Sequence, residues 1–93
     1  MMNDENRQVA LVTGGTRGIG FGCAVHLAAE GFDLAINGVR EENAVASALD
    51  QLRQSVGKVV YCRGDVARQS DRTRMLNTVK KHFGRLNVLI NNA

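Results

Sequence analysis

A chain of 93 residues holds one domain at most, and a core of that size is only marginally able to stabilise itself. Hydrophobic residues at 44% and charged residues at 23% fit a globular chain rather than a disordered one, and no apolar run approaches the roughly 20 residues of a membrane span. The net charge of +3 traces to one stretch, in which Arg63, Arg68, Arg72, Arg74, Lys80, Lys81 and Arg85 face only Asp65 and Asp71.

The chain opens on the polar run Met1 to Gln8, which lacks the apolar core of a secretory signal and reads as a frayed terminus of a cytoplasmic protein. Val9 to Val12 is an uninterrupted apolar run, the pattern of a short strand buried on both faces. A glycine-rich turn leads into a helix whose expected stripe is Ile19, Cys23 and Leu27, with Gly31 beyond its end. Leu34 to Ile36 is the second strand. A second helix opens at Glu41, Glu42 and Asn43, where acids offset the positive end of the dipole; it buries Val45, Ala48, Leu49 and Leu52 and is followed by Gly57. Val59 to Cys62 is the third strand. The third helix starts near Ser70 as a cap, turns Met75, Leu76, Val79 and Phe83 to the sheet, and stops at Gly84. Val88 to Ile90 is the fourth strand. Strands alternating with helices imply parallel pairing, and right-handed crossovers put the first strand inside the sheet. The expected fold is therefore α/β, a Rossmann-type doubly wound parallel sheet of form β-α-β-α-β-α-β and order 3-2-1-4, in one domain over residues 1–93.

Between the first strand and first helix stands Thr13-Gly14-Gly15-Thr16-Arg17-Gly18-Ile19-Gly20. Glycines there allow a sharp turn and close backbone approach, and the helix amides behind them point at whatever anion the turn receives. A phosphate loop of the Lys-Ser/Thr kind is excluded because Phe21 and Gly22 follow Gly20, and G-x-G-x-x-G fails because Cys23 stands where its third glycine would be. What remains is G-x-x-x-G-x-G at Gly14, Gly18 and Gly20.

This TGGTRGIG segment resembles the TGxxxGIG signature of the short-chain dehydrogenase/reductase family. Val88-Leu89-Ile90-Asn91-Asn92-Ala93 is similar to the family's NNAG segment, and Gly64-Asp65-Val66 stands where its members place an Asp-Val pair beside adenine. The resemblance runs from about Val9 to Ala93. It implies that Gly14, Thr16, Arg17, Gly18, Ile19 and Gly20 line the pyrophosphate and adenosine side, that Asp65 and Val66 contact adenine, and that Asn92 and Ala93 meet the nearby ribose. Asn37 and Arg40, at the end of the second strand, join this set. No acid occurs among Ile36-Asn37-Gly38-Val39-Arg40, where a site for NAD(H) would place one on the ribose hydroxyls. With Arg17 and Arg40 both able to reach a 2′-phosphate, the expected cofactor is NADP(H).

The family's catalytic Ser and Tyr-x-x-x-Lys belong beyond the fourth strand, so no catalytic residue is assigned here. Tyr61, with Asp65 four places on, cannot fill that part. The resemblance implies an oxidoreductase that moves hydride between nicotinamide and a carbonyl or alcohol. It looks most like the 3-oxoacyl-[acyl-carrier-protein] reductase branch, which acts on acyl thioesters, and it implies a homotetramer. The alternative is a non-catalytic dinucleotide sensor or scaffold, distinguished by whether Tyr-x-x-x-Lys follows. His26 and His82 lack ligand spacing, so no metal site is expected. Cys23 and Cys62 read as buried free thiols. The basic residues around the third helix read as its solvated face rather than a nucleic-acid surface, because no aromatic platform accompanies them.

Overall fold

The computed structural model describes residues 7–92. The expected frayed start up to Asn6 and the Ala93 contact lie outside those residues. Four parallel strands run β1 (Val9–Val12), β2 (Asp33–Gly38), β3 (Val59–Arg63) and β4 (Val88–Ile90), in the order β3-β2-β1-β4. Helices α1 (Gly18–Ala29), α2 (Ala46–Leu52) and α3 (Gln69–Phe83) connect them. The expected fold class and strand order are thus those of the molecule.

The period of two along each strand divides the core. Ala10, Val12, Leu34, Ile36 and Val59 pack with Ala24, Ala28, Val45, Leu49 and Leu52 on one face, under α1 and α2. Val9, Leu11, Ala35 and Cys62 pack with Met75 and Val79 of α3 on the other. Every residue of β1 and β2 is buried, which explains their continuous apolar runs. β2 is longer than Leu34 to Ile36 suggested, because Asp33, Asn37 and Gly38 continue the ladder with polar atoms satisfied internally. β4 is a correction. It lies at the sheet edge with Leu89 56% exposed, so its apolar run does not mark burial on both faces in this chain.

Several helix expectations also change. α1 buries Gly20, Ala24 and Ala28, while Ile19 is 80% exposed and Cys23 is only half-buried. Small residues at this i, i+4 spacing bring the helix close to the sheet, and the larger stripe is rotated outward except for Leu27, which packs at its margin. The second helix begins with a 3₁₀ turn, Glu42–Val45, so Glu41 to Asn43 precede α2 rather than open it. Ala48 is half-buried beside buried Leu49 and Leu52. Gly57 lies well past the helix end. A Cβ there would stand 2.0 Å from the Phe32 carbonyl oxygen, so its role is close chain approach. α3 starts at Gln69 without a side-chain cap, leaving Ser70 inside its first turn. Its sheet face is Met75 and Val79 with Phe83 half-buried, and Leu76 points outward. Gly84 ends it in the left-handed conformation, φ 74°, as expected.

The basic surplus is not wholly a solvated face. Arg85 is two-thirds buried, lies 3.7 Å from the Asp33 carboxylate and donates to the carbonyls of Arg7 and Phe83. Arg72 and Arg74 likewise donate to the Val66 and Arg63 carbonyls. These arginines fasten chain ends and loops.

Candidate functional site

Parallel strands bring all their carboxyl ends to one edge, and a crevice opens there where the connections diverge to opposite faces. In this molecule a cavity of about 550 Å³ lies at that edge. Its walls come from the loop after β1, the end of β2, the end of β3 and Asn92 after β4.

The loop after β1 is shaped by two left-handed glycines, Gly14 at φ 59° and Gly18 at φ 60°. It is anchored to β2, since the Gly15 amide donates to the Asn37 carbonyl (2.9 Å) and the Gly14 amide donates to the Asn37 side chain (3.2 Å). The first intrahelical bond of α1 runs from Phe21 N–H to the Arg17 carbonyl. The preceding amides of Gly18, Ile19 and Gly20 therefore belong to an open helix start. Arg17 supplies no side-chain cap, and the first turn holds no acid. Open amides, the positive dipole end and free space above Gly18 suit an anion such as a pyrophosphate.

Of the expected site residues, Gly14, Thr16, Arg17, Gly18, Ile19, Asn37, Arg40, Asp65, Val66 and Asn92 all border this cavity. Gly20 does not. It is buried behind the loop, where a Cβ would meet the Gly14 carbonyl oxygen at 2.2 Å and the Asn92 amide nitrogen at 2.6 Å. Its service is to let α1 approach the loop. Asn37 reaches the cavity without offering its amide group: the buried side chain donates to the Cys62 and Gly64 carbonyls (3.0 and 2.9 Å) and accepts from Gly14. It joins the ends of β1, β2 and β3, a role the sequence does not signal. Arg40 is exposed, and its Nη2 lies 3.4 Å from the Ala44 carbonyl.

Four further residues belong to the site. Gly38, Val39 and Gly64 complete the wall. Thr13 ties β1 to β4: its hydroxyl accepts from the Asn92 amide (2.9 Å) and lies 3.3 Å from the Ile90 carbonyl. Its signal was its place just before the glycines. Asn92 Nδ2 in turn donates to the Gly14 carbonyl (3.2 Å), so the end of β4 braces the loop. Asp65 uses one carboxylate oxygen on the Ala67 amide, while its own amide donates to Asp71 (2.8 Å). That bond, with Arg74 and Arg68 nearby, holds the Asp71 carboxyl below its ordinary pKa of 3.8. The Cys62 thiol, buried behind the site, is pushed up to about 11 by desolvation. Among the described residues no group of His, Cys, Asp and Glu could hold a metal, and no helix is long and apolar enough to cross a membrane.

Comparison with known proteins agrees with this geometry. The sequence pattern of the short chain dehydrogenase family matches residues 8–93. The protein named as ketoacyl reductase 2 of the granaticin polyketide synthase from Streptomyces violaceoruber is 42% identical over 89 residues, which cover 91% of this chain and 32% of that protein. Peroxisomal 2,4-dienoyl-CoA reductase of Arabidopsis thaliana is 37% identical over 86 residues, covering 92% of this chain and 28% of that protein. The crystal structure of 3-oxoacyl-[acyl-carrier protein] reductase from Brucella melitensis in complex with NAD superimposes with a TM-score of 0.86 at 44% identity, covering 95% of this chain and 34% of that one. The chain spans about a third of the length of the curated relatives it matches. With the family pattern matched almost end to end and the glycine loop, strand order and cavity in place, the chain belongs to the short-chain dehydrogenase family.

Proposed function

We propose that residues 1–93 are the dinucleotide-binding portion of an NADP(H)-dependent reductase that moves hydride between nicotinamide and a carbonyl or alcohol. The observation that carries this is the uncapped start of α1 behind Gly14 and Gly18, facing a cavity walled by Arg17 and Arg40. Gly14, Thr16, Gly18 and Ile19 would hold the pyrophosphate, Asp65 and Val66 the adenine, and Asn92 with Ala93 the nearby ribose. The cofactor would supply the hydride, while these residues bind and orient it. Gly20 and Asn37 serve the same site from behind by shaping the loop.

The preference for NADP(H) rests on the end of β2, where Gly38, Val39 and Arg40 line the wall and no carboxylate stands. Glu41 and Glu42 lie outside the lining, and Glu41 is drawn toward Arg63 at 4.0 Å. A charge-assisted hydrogen bond from either arginine to a 2′-phosphate contributes about 1.5–3 kcal/mol, or roughly tenfold to hundredfold in affinity. The relative solved with NAD bears on the opposite choice, which makes direct titration the deciding experiment. Calorimetry of the full-length protein is expected to give at least about tenfold tighter binding of NADPH than of NADH, and equal affinities would refute the preference. Arg17→Ala is expected to narrow the gap. The matched relatives named for ketoacyl, dienoyl-CoA and 3-oxoacyl-carrier-protein reduction favour an acyl thioester as substrate. A homotetramer in the cytoplasm completes this reading.

A further inference from the structure

We infer that Tyr61 is a positioning residue that controls which side chain position 38 can carry, and through it which dinucleotide the pocket selects. The inference rests on the cavity being a dinucleotide site. Register places Tyr61 opposite Ile36 and Arg63 opposite Gly38, so Tyr61 lies on the face of the sheet that Ile36 and Gly38 share. Its ring packs against the core under α1 and α2, and its hydroxyl reaches forward to donate to the Arg40 carbonyl at 2.5 Å. A Cβ on Gly38 would stand 2.8 Å from that hydroxyl and 3.3 Å from Thr16 Cγ2. The hydroxyl thus occupies the room that an acid at this strand end would need.

The segment is also tethered where it stands. Three consecutive carbonyls are held from the β3 side: Gly38 accepts from the Gly64 amide (2.9 Å), Val39 from Arg63 Nε (3.1 Å) and Arg40 from the Tyr61 hydroxyl. If Tyr61 withdrew, the Arg40 carbonyl would lose its donor and the base of the Arg40 side chain its fixed position. The hydroxyl is the donor in that bond, and desolvation shifts its pKa further above the ordinary 10.0, outweighing the opposing pull of Arg63 and Arg40. The two effects act together. Tyr61 excludes the carboxylate that would bind a free ribose, and it aims the arginine that would bind a 2′-phosphate.

The test is a double-mutant cycle in the full-length protein, comparing the parent with Gly38→Asp, Tyr61→Phe and the pair, each titrated calorimetrically with NADP+ and NAD+. Tyr61→Phe alone is expected to weaken NADP+ several-fold and to leave NAD+ within about twofold. Gly38→Asp alone should lose NADP+ by about tenfold or more without gaining NAD+, whereas the pair should bind NAD+ at least about tenfold tighter than Gly38→Asp alone. Because Gly38→Asp can fail to fold, Gly38→Ala is melted with and without Tyr61→Phe. The phenylalanine is expected to recover about half or more of the Tm lost to the added methyl. Equal NAD+ affinity of Gly38→Asp with and without Tyr61→Phe, or an unrelieved Tm loss in the alanine pair, overturns the role of Tyr61. A parent protein that binds neither dinucleotide overturns the pocket reading instead.

Discussion

Gly18 combines φ +60° with open space where a side chain would project, and that space is the cavity. Gly18→Val is expected to cost about 1–2 kcal/mol of stability from the left-handed backbone alone and, on the proposed function, to abolish dinucleotide binding, because the branched side chain would enter the room a pyrophosphate would take. Melting together with NADPH titration of the full-length variant checks both; unchanged affinity would show that the loop is not the phosphate site. Asn37 lies at the opposite extreme of burial. Asn37→Leu would strip donors from the Cys62 and Gly64 carbonyls and an acceptor from the Gly14 amide, at about 1–3 kcal/mol for each buried group left unmet. Its expected signature in chemical denaturation is a stability loss of about 3 kcal/mol or more, with weakened cofactor binding as the loop loses its tether. The glycines were legible in the sequence, because a positive φ at a strand-to-helix turn leaves few other choices. The work of Asn37 was not, because its partners lie 23 to 27 positions away and become neighbours only through strand pairing.

At the scale of elements, the start of α3 is tied to the end of β3 through Asp71, which receives the Asp65 amide at 2.8 Å and lies 3.3 Å from Arg74. The carboxyl pKa is lowered by folding, so the unfolded chain binds the proton more readily. The tie therefore contributes stability above the ordinary value of 3.8, and the contribution is lost as pH falls below it. Asp71→Asn is expected to lower the Tm near neutral pH, with the difference from the parent closing as pH falls below about 4. A gap that persists unchanged into acid would assign the effect to packing rather than charge. Ser70, the cap expected from sequence, is already inside the helix, and the tie one residue further on is made to a strand end rather than to the helix's own amides.

For the whole molecule, β4 is an edge strand, and beside it Leu11, Met75, Leu76, Val66 and Leu89 border an apolar groove of about 370 Å³. An unpaired strand edge next to exposed leucines is a template for association. The 93-residue chain expressed alone is therefore expected to self-associate at micromolar concentration, as read by size-exclusion chromatography with light scattering, and to show no carbonyl reduction with NADPH. A monodisperse monomer would contradict the first expectation. Turnover would contradict the second, which rests on the resemblance placing the proton-transferring Ser and Tyr-x-x-x-Lys beyond the fourth strand.

The sequence by itself determined the alternation of strands and helices, their parallel order and the position of the glycine loop. Each depends on short-range properties: apolar runs of three or four residues, helical periodicity, and glycines where the backbone must take φ near +60°. Only the tertiary structure decided which face of α1 is buried, because Gly20, Ala24 and Ala28 are chosen by how closely the helix must approach the loop and sheet rather than by hydrophobicity. Only the structure turned Asn37 inward and Arg85 onto Asp33, and brought the Tyr61 hydroxyl against Gly38. Those placements follow from strand register and from backbone approaches of about 3 Å between distant segments. Side-chain type along the chain carries no record of such distances.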